Sequence, residues 1–123
     1  MAGVLAVSWD AFELVGALAA ASAEQAIDLY PAFMFARGSA VSGRNAIAAA
    51  PSMPADRPPW SGVAALSAGD AEEVADGLAG LAAALSARLR EAARLAADDD
   101  DRIACESAAL DADRIGELLA GSR

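Results

Sequence analysis

A run of large apolar residues at helical spacing constrains this chain more than any other feature. From Asp70 onward, steps of three and four residues separate the members of one seam: Val74, Leu78, Leu81, Leu85, Leu89, Ala92 and Leu95. This spacing is close to the a and d positions of a heptad and predicts a long amphipathic helix over about 70–97. We expect the first five residues of the seam to bind a partner helix.

Two glycines interrupt this predicted helix. Gly77 and Gly80 lie within the seam, where each costs about 1 kcal/mol relative to alanine in an isolated helix. Their presence predicts that another helix approaches closely at this point.

The abundance of alanine predicts how the helices pack. The chain has 123 residues, of which 36 are alanine, so the hydrophobic fraction of 56% contains few large side chains. Such a core suits helices with small side chains that pack closely along alanine-rich seams. A partner chain would supply further buried area. No alternating pattern is long enough to predict a strand. The sequence therefore predicts a single all-α domain over residues 1–123, an antiparallel helical hairpin or a small helical bundle.

Proline and glycine residues mark the boundaries of the other predicted elements. A first helix is predicted over 9–30, ended or kinked by Pro31. Prolines and glycines then predict an irregular segment over 31–62, with a short helical piece near 43–50, between the first and second long helices. A C-terminal helix is predicted over about 101–120.

Charge and composition exclude several kinds of site. The net charge is −9 and histidine is absent, which excludes a Ser/His/Asp triad, a Cys/His pair and an imidazole metal ligand. Nine arginines among eighteen carboxylates make nucleic acid an unsuitable partner. Cys105 is the sole cysteine, and we expect it to be a buried, inert thiol. Neither a cofactor nor a metal is predicted.

The carboxylates offer the only candidates for catalysis, and they are weak ones. The run Asp98–Asp101 lacks the spaced ligands and central glycine of a calcium loop, so it predicts a solvated cap at a helix start. Nothing in the pattern predicts burial of Glu106, Asp111, Asp113 or Glu117 that would raise a pKa for acid–base work. No catalytic residue is predicted, and a stand-alone enzyme is the last-ranked interpretation.

A short motif precedes the long helix. Trp60-Ser61-Gly62 follows Pro58-Pro59 and lies between two helical stretches. Here the chain resembles the WXG-type helical-hairpin proteins of type VII secretion, in which a W-x-G turn links two antiparallel helices. The resemblance covers about residues 60–120. It implies an export element of spacing Y-x-x-x-[D/E], which Ser107 and Asp111 match in spacing, with serine in place of tyrosine.

These observations lead to two hypotheses about function. The first is a non-enzymatic helical interaction protein that forms homo- or hetero-oligomers through helix packing and resembles a type VII secretion substrate or a targeting partner of an exported protein. The alternative is a small helical accessory subunit of a larger enzyme or particle. Met1–Trp9 lacks a basic n-region, and no uncharged stretch reaches about 18 residues, so neither a cleaved signal peptide nor a membrane span is predicted. We expect synthesis in the cytosol, and the resemblance implies secretion without a cleaved signal.

Overall fold

The computed structural model describes residues 1–54 and 70–120, and these form an all-helical structure. Its four helices are α1 (Ala2–Ala23), α2 (Tyr30–Ala48), α3 (Ala71–Leu95) and α4 (Asp99–Ala120). No strand occurs in these two stretches. The predicted all-α fold class is confirmed, and α3 and α4 lie close to their predicted bounds.

The first half of the chain differs from the prediction. The helix predicted over 9–30 begins at Ala2 and ends at Ala23, because Leu5, Phe12 and Val15 continue one buried face through Asp10. A turn follows, and Pro31 lies in the first turn of α2. Proline is tolerated there, because the first N–H groups of a helix have no intrahelical partner. Pro31 therefore lies at the start of a helix, and the prediction that it ends or kinks one is wrong.

Helix α2 occupies most of the segment predicted to be irregular. Its buried residues are Phe33, Ala36, Ser39, Ala40, Gly43 and Ile47. Gly43 is a contact residue and not a turn residue, since an added Cβ would lie 2.5 Å from Cε1 of Phe12 on α1. A glycine at this position lets the two helices approach closely.

Side-chain contacts define how the helices are arranged. Ser42 contacts Asp111 and Ser52 contacts Asp101, so α2 and α4 run antiparallel. Equivalent pairs show that α1 is antiparallel to α2 and α3 is antiparallel to α4. Helix α1 also packs on α3, so the four helices form a bundle in which α2 and α3 lie at opposite corners and point the same way.

The core consists of a few large side chains embedded among alanines. The largest buried apolar residues are Leu5, Phe12, Val15, Phe33, Ile47, Leu89, Ile115 and Leu119. On α4 the core-facing positions include Ala104, Ala108, Ala109 and Ala112, as predicted for closely packed, alanine-rich seams. Cys105 is fully buried, and burial raises the pKa of its thiol. The predicted burial of Cys105 is confirmed.

Candidate protein interaction surface

The leucine seam of α3 faces the interior of its own chain. Leu78, Leu85 and Leu89 are buried, while Val74 and Leu81 are partly buried against the same core. The prediction that these five residues bind a partner is corrected for the three leucines, because their surface is already covered by the other helices. The heptad-like spacing therefore reflects packing inside a four-helix bundle.

The glycines of α3 lie on its outer side. Gly77 and Gly80 are exposed, and an added Cβ on either would meet nothing within 4 Å. Within the described part of the chain, no helix makes the close approach that was predicted at these positions.

The aspartate run caps a helix and joins two elements. Asp98 Oδ1 accepts hydrogen bonds from the backbone N–H groups of Asp100 (2.8 Å) and Asp101 (3.1 Å), which confirms the predicted cap. The run separates α3 from α4. Asp101 is 3% exposed and accepts hydrogen bonds from the backbone N–H (2.9 Å) and hydroxyl of Ser52. Among residues 1–54 and 70–120, no group of three potential ligand side chains is placed to hold a metal.

A polar cluster joins α3 to α4. The Ser86 hydroxyl donates to Asp113 Oδ1 at 2.5 Å, and Arg90 donates to Oδ2 of the same carboxylate and, at 3.3 Å, to the Ser86 hydroxyl. The hydrogen bond from Ser86 and the pairing with Arg90 lower the pKa of Asp113. A carboxylate stabilised in its charged form is a weak base, so it is poorly suited to activate the serine. The cluster acts as a clamp between helices.

A second polar clamp joins α1 to α2. Arg44 donates to Glu13 at 2.6 Å, and its guanidinium lies 5.4 Å from the centre of the Trp9 ring. Stacking on the indole and pairing with the carboxylate hold the arginine side chain along the helix boundary. Trp9 therefore contributes to packing between α1 and α2.

An open groove of about 320 Å³ separates the outer edges of α2 and α4. We call it the α2–α4 groove; it is lined by Met34, Phe35, Gly38, Ser39, Ser42, Asp111, Arg114 and Leu118. Ser42 donates a hydrogen bond to Asp111 at 3.1 Å. Burial raises the pKa of Asp111, against the smaller opposing effects of Ser42 and Arg114. The groove thus combines an apolar wall with a half-buried carboxylate and a cation.

Three large apolar side chains are exposed on α2 and α4: Phe35 lies in this groove, whereas Leu110 lines a separate opening between α3 and α4. Phe35 is 67% exposed. Leu110, one turn before Arg114 on α4, is 64% exposed, and Ile103, two turns earlier, is 55% exposed. Their spacing of seven residues puts both on the side opposite Ala108 and Ala112, a signal that a helical projection reveals.

The residues predicted to form an export element lie on α4. Asp111 lines the α2–α4 groove, and Ser107 is exposed one turn before it. Trp60 and Gly62 lie outside the described residues. The helices on either side of them, α2 and α3, are parallel, whereas the resemblance implies an antiparallel pair. No family model, curated protein or solved structure matches this chain, so the resemblance stays a prediction.

Helix α1 has unusual composition. Its 22 residues near the N-terminus are long and apolar enough to cross a membrane, judged by length and mean hydropathy alone. A core helix and a signal sequence pass the same test, and seven α1 residues are buried in the bundle.

Proposed function

We propose that this chain is a non-enzymatic helical interaction protein that binds a protein partner through the α2–α4 groove. The observation that carries the proposal is the exposure of Phe35 in a groove whose lining also includes Met34 and Leu118. Leu110 and Ile103 are exposed on the outer face of α4. Apolar side chains grouped in this way are typical of protein-binding surfaces. Asp111 and Arg114 supply polar groups that would orient the partner.

Within this proposal, the specific role is that of a type VII secretion substrate or a targeting partner of an exported protein. Two features support it: the tripeptide Trp60-Ser61-Gly62, and the position of Asp111 in the groove. The export machinery would read the groove together with Ser107 and Asp111. Synthesis in the cytosol and secretion without a cleaved signal peptide follow from this role.

The alternative role is an accessory subunit of a larger enzyme or particle. The parallel arrangement of α2 and α3 favours it, because a hairpin of the WXG type would place those helices antiparallel. In this role Phe35 and Leu110 are buried permanently against a neighbouring subunit.

Secretion measurements separate the two roles. The tagged chain is produced in its natural host with and without a functional type VII ATPase, and the culture supernatant is compared with a cytosolic marker for lysis. Export that requires the ATPase and is reduced by Asp111→Ala supports the first role. Retention in the cell, with co-elution in a large complex, supports the second.

Paired surface variants test the groove itself in either role. Phe35→Ser combined with Leu110→Ser should abolish export or co-elution, because both side chains are exposed and contribute little to the core. Ile27→Ser, an exposed apolar position in the turn between α1 and α2, is the matched control and should behave as the unmodified chain. Equal behaviour of the two variants would exclude the α2–α4 groove as the binding surface.

A further inference from the structure

Within residues 1–54 and 70–120, the exposed side of α3 carries a second surface that no other helix covers, separate from the α2–α4 groove. We call it the α3 outer face; it comprises Glu73, Gly77, Gly80, Leu81, Ala84 and Arg88. All are exposed except Leu81, which is partly buried. At 100° per residue these positions fall within a sector of about 100° around the helix axis. They therefore form one continuous strip along the helix.

An apolar groove runs beside this strip. Val7 and Ala11 of α1 form one wall, and Leu81, Ala84 and Leu85 of α3 form the other. The groove has a volume of about 120 Å³, and Arg88 lies in its lining. Because Gly77 and Gly80 have no side chain and face open space, another helix could approach the backbone of α3 closely here.

The charges of the strip are placed symmetrically about its middle. Glu73 lies seven residues before Gly80, and Arg88 lies seven residues after Leu81. Gly77 and Ala84 are likewise equidistant from the same midpoint. Among residues 1–54 and 70–120, neither Glu73 nor Arg88 forms an ion pair. When two such strips lie side by side in opposite directions, Glu73 of one faces Arg88 of the other. The strip is therefore complementary to a second copy of itself.

We propose that the α3 outer face binds a second copy of this chain, with the two α3 helices antiparallel. In this arrangement Glu73 pairs with Arg88 of the second copy, and the reciprocal pair forms on the other side of a twofold axis near Gly80 and Leu81. Gly77 lies against Ala84 of the second copy. Leu81 of each copy packs into the apolar groove between α1 and α3 of the other copy. Each copy carries a net charge of −9, so opposite charges at both ends of the contact are needed to orient two chains that otherwise repel.

Sedimentation velocity of the full chain over a concentration series tests the proposal. The unmodified chain should form a dimer as its concentration rises. Arg88→Glu and Glu73→Arg should each weaken the dimer at least about tenfold, because each replaces two attractive contacts with repulsive ones. The double variant with both changes should restore the affinity to within about threefold, since the pairs re-form with reversed sign. Gly80→Gln should also weaken the dimer about tenfold or more by blocking close approach.

Control variants separate this contact from general charge effects and from unfolding. Arg37→Glu changes the net charge as Arg88→Glu does, at an exposed position on α2, and should leave the dimer unaffected. Gly80→Gln should leave the helical circular dichroism unchanged, since its side chain enters open space. A chain that stays monomeric at all concentrations, or a double variant no better than the single ones, overturns the proposal. So does a dimer that is lost on Phe35→Ser and retained on Arg88→Glu, because it would use the α2–α4 groove. If the unmodified chain forms this dimer but is neither exported nor bound to a partner through the α2–α4 groove, only the proposed function is contradicted.

Discussion

At the scale of single residues, small side chains determine where helices touch. Gly43 faces the ring of Phe12, and an added Cβ would lie 2.5 Å from Cε1, well inside the 3.5–4.0 Å at which carbon atoms pack. Gly38, on the same helix, faces open space. The two glycines of α2 therefore have different physical roles, although the sequence presents them alike.

Substitution of these glycines should have opposite effects on stability. Gly43→Ala should lower the free energy of unfolding by about 1 kcal/mol or more, because the buried Phe12 ring must move. Gly38→Ala is the control and should raise it by up to about 1 kcal/mol through better helix propensity. Urea unfolding of both variants measures the difference. A Gly43→Ala protein as stable as Gly38→Ala would show that α1 and α2 do not approach this closely.

The carboxylate of Asp113 should stabilise the fold at neutral pH. Its pKa is lowered by the Ser86 hydrogen bond and by Arg90, below the value of about 3.9 in an unfolded chain. The contribution is therefore complete above about pH 4 and is lost as the pH falls through the folded-state pKa. Asp113→Asn should destabilise the protein at pH 7 by at most about 1 kcal/mol, since the pair with Arg90 is exposed.

Urea unfolding at several pH values checks this dependence. The difference between the unmodified chain and Asp113→Asn should shrink as the pH falls below about 4. Ser86→Ala removes the largest cause of the pKa shift and should reduce the same dependence. A constant difference across pH would contradict the prediction.

The contribution of Asp111 to stability should depend on pH with the opposite sign. Burial raises its folded-state pKa, so the folded protein favours the protonated form, and stability from this group is lost as the pH rises through that pKa. Asp111→Asn should therefore stabilise the protein at pH 7, with a gain that disappears at low pH. Thermal unfolding at both pH values measures the gain, and a loss of stability at pH 7 would count against this account.

At the scale of helices, one short run of aspartates has two roles. It marks the start of α4, and it links α4 to the turn after α2. Asp98 caps α4, while Asp101 reaches the turn after α2 and accepts two hydrogen bonds from Ser52. Asp100 is exposed. Four identical residues thus differ in function because α4 presents successive side chains in directions about 100° apart.

Alanine substitution along the run should separate these roles. Asp101→Ala should cost about 1–3 kcal/mol, because two donors of Ser52 lose a buried acceptor. Asp98→Ala should cost about 1 kcal/mol through loss of the cap. Asp100→Ala should change stability by less than about 0.5 kcal/mol. Chemical unfolding of the three variants ranks them, and three equal effects would be inconsistent with the structure.

At the scale of the whole molecule, the leucine seam of α3 completes a bundle of four helices from one chain. Its three most buried leucines face α3's neighbours, and the α2–α4 groove and the α3 outer face are among the surfaces that the described helices leave open. Partner binding is therefore expected at the outside of the bundle, since the seam is already covered.

A charge in the seam should unfold the chain. Leu85 is 4% exposed, so Leu85→Asp buries a carboxylate without a partner and should cost about 3 kcal/mol or more. Leu110→Asp introduces the same group at an exposed position of α4 and should leave the fold intact. Circular dichroism and thermal unfolding compare the two. If Leu85→Asp stays fully folded and only changes its oligomeric state, the seam faces a partner after all.

Local patterns determined the all-α class, α3, α4, the Asp98 cap and the burial of Cys105, because each depends on helical periodicity or on the chemistry of one residue. They did not determine α2, because Pro31, Gly38 and Gly43 favour turns locally, and only the packing of α2 on α1, where Gly43 faces Phe12, shows why this segment is helical. Nor did they determine which side of a helix stays open: Ile103 and Ile115 are chemically identical, yet one is exposed and the other buried. That choice depends on the directions in which four helices cross and pack, and only the tertiary structure contains this information.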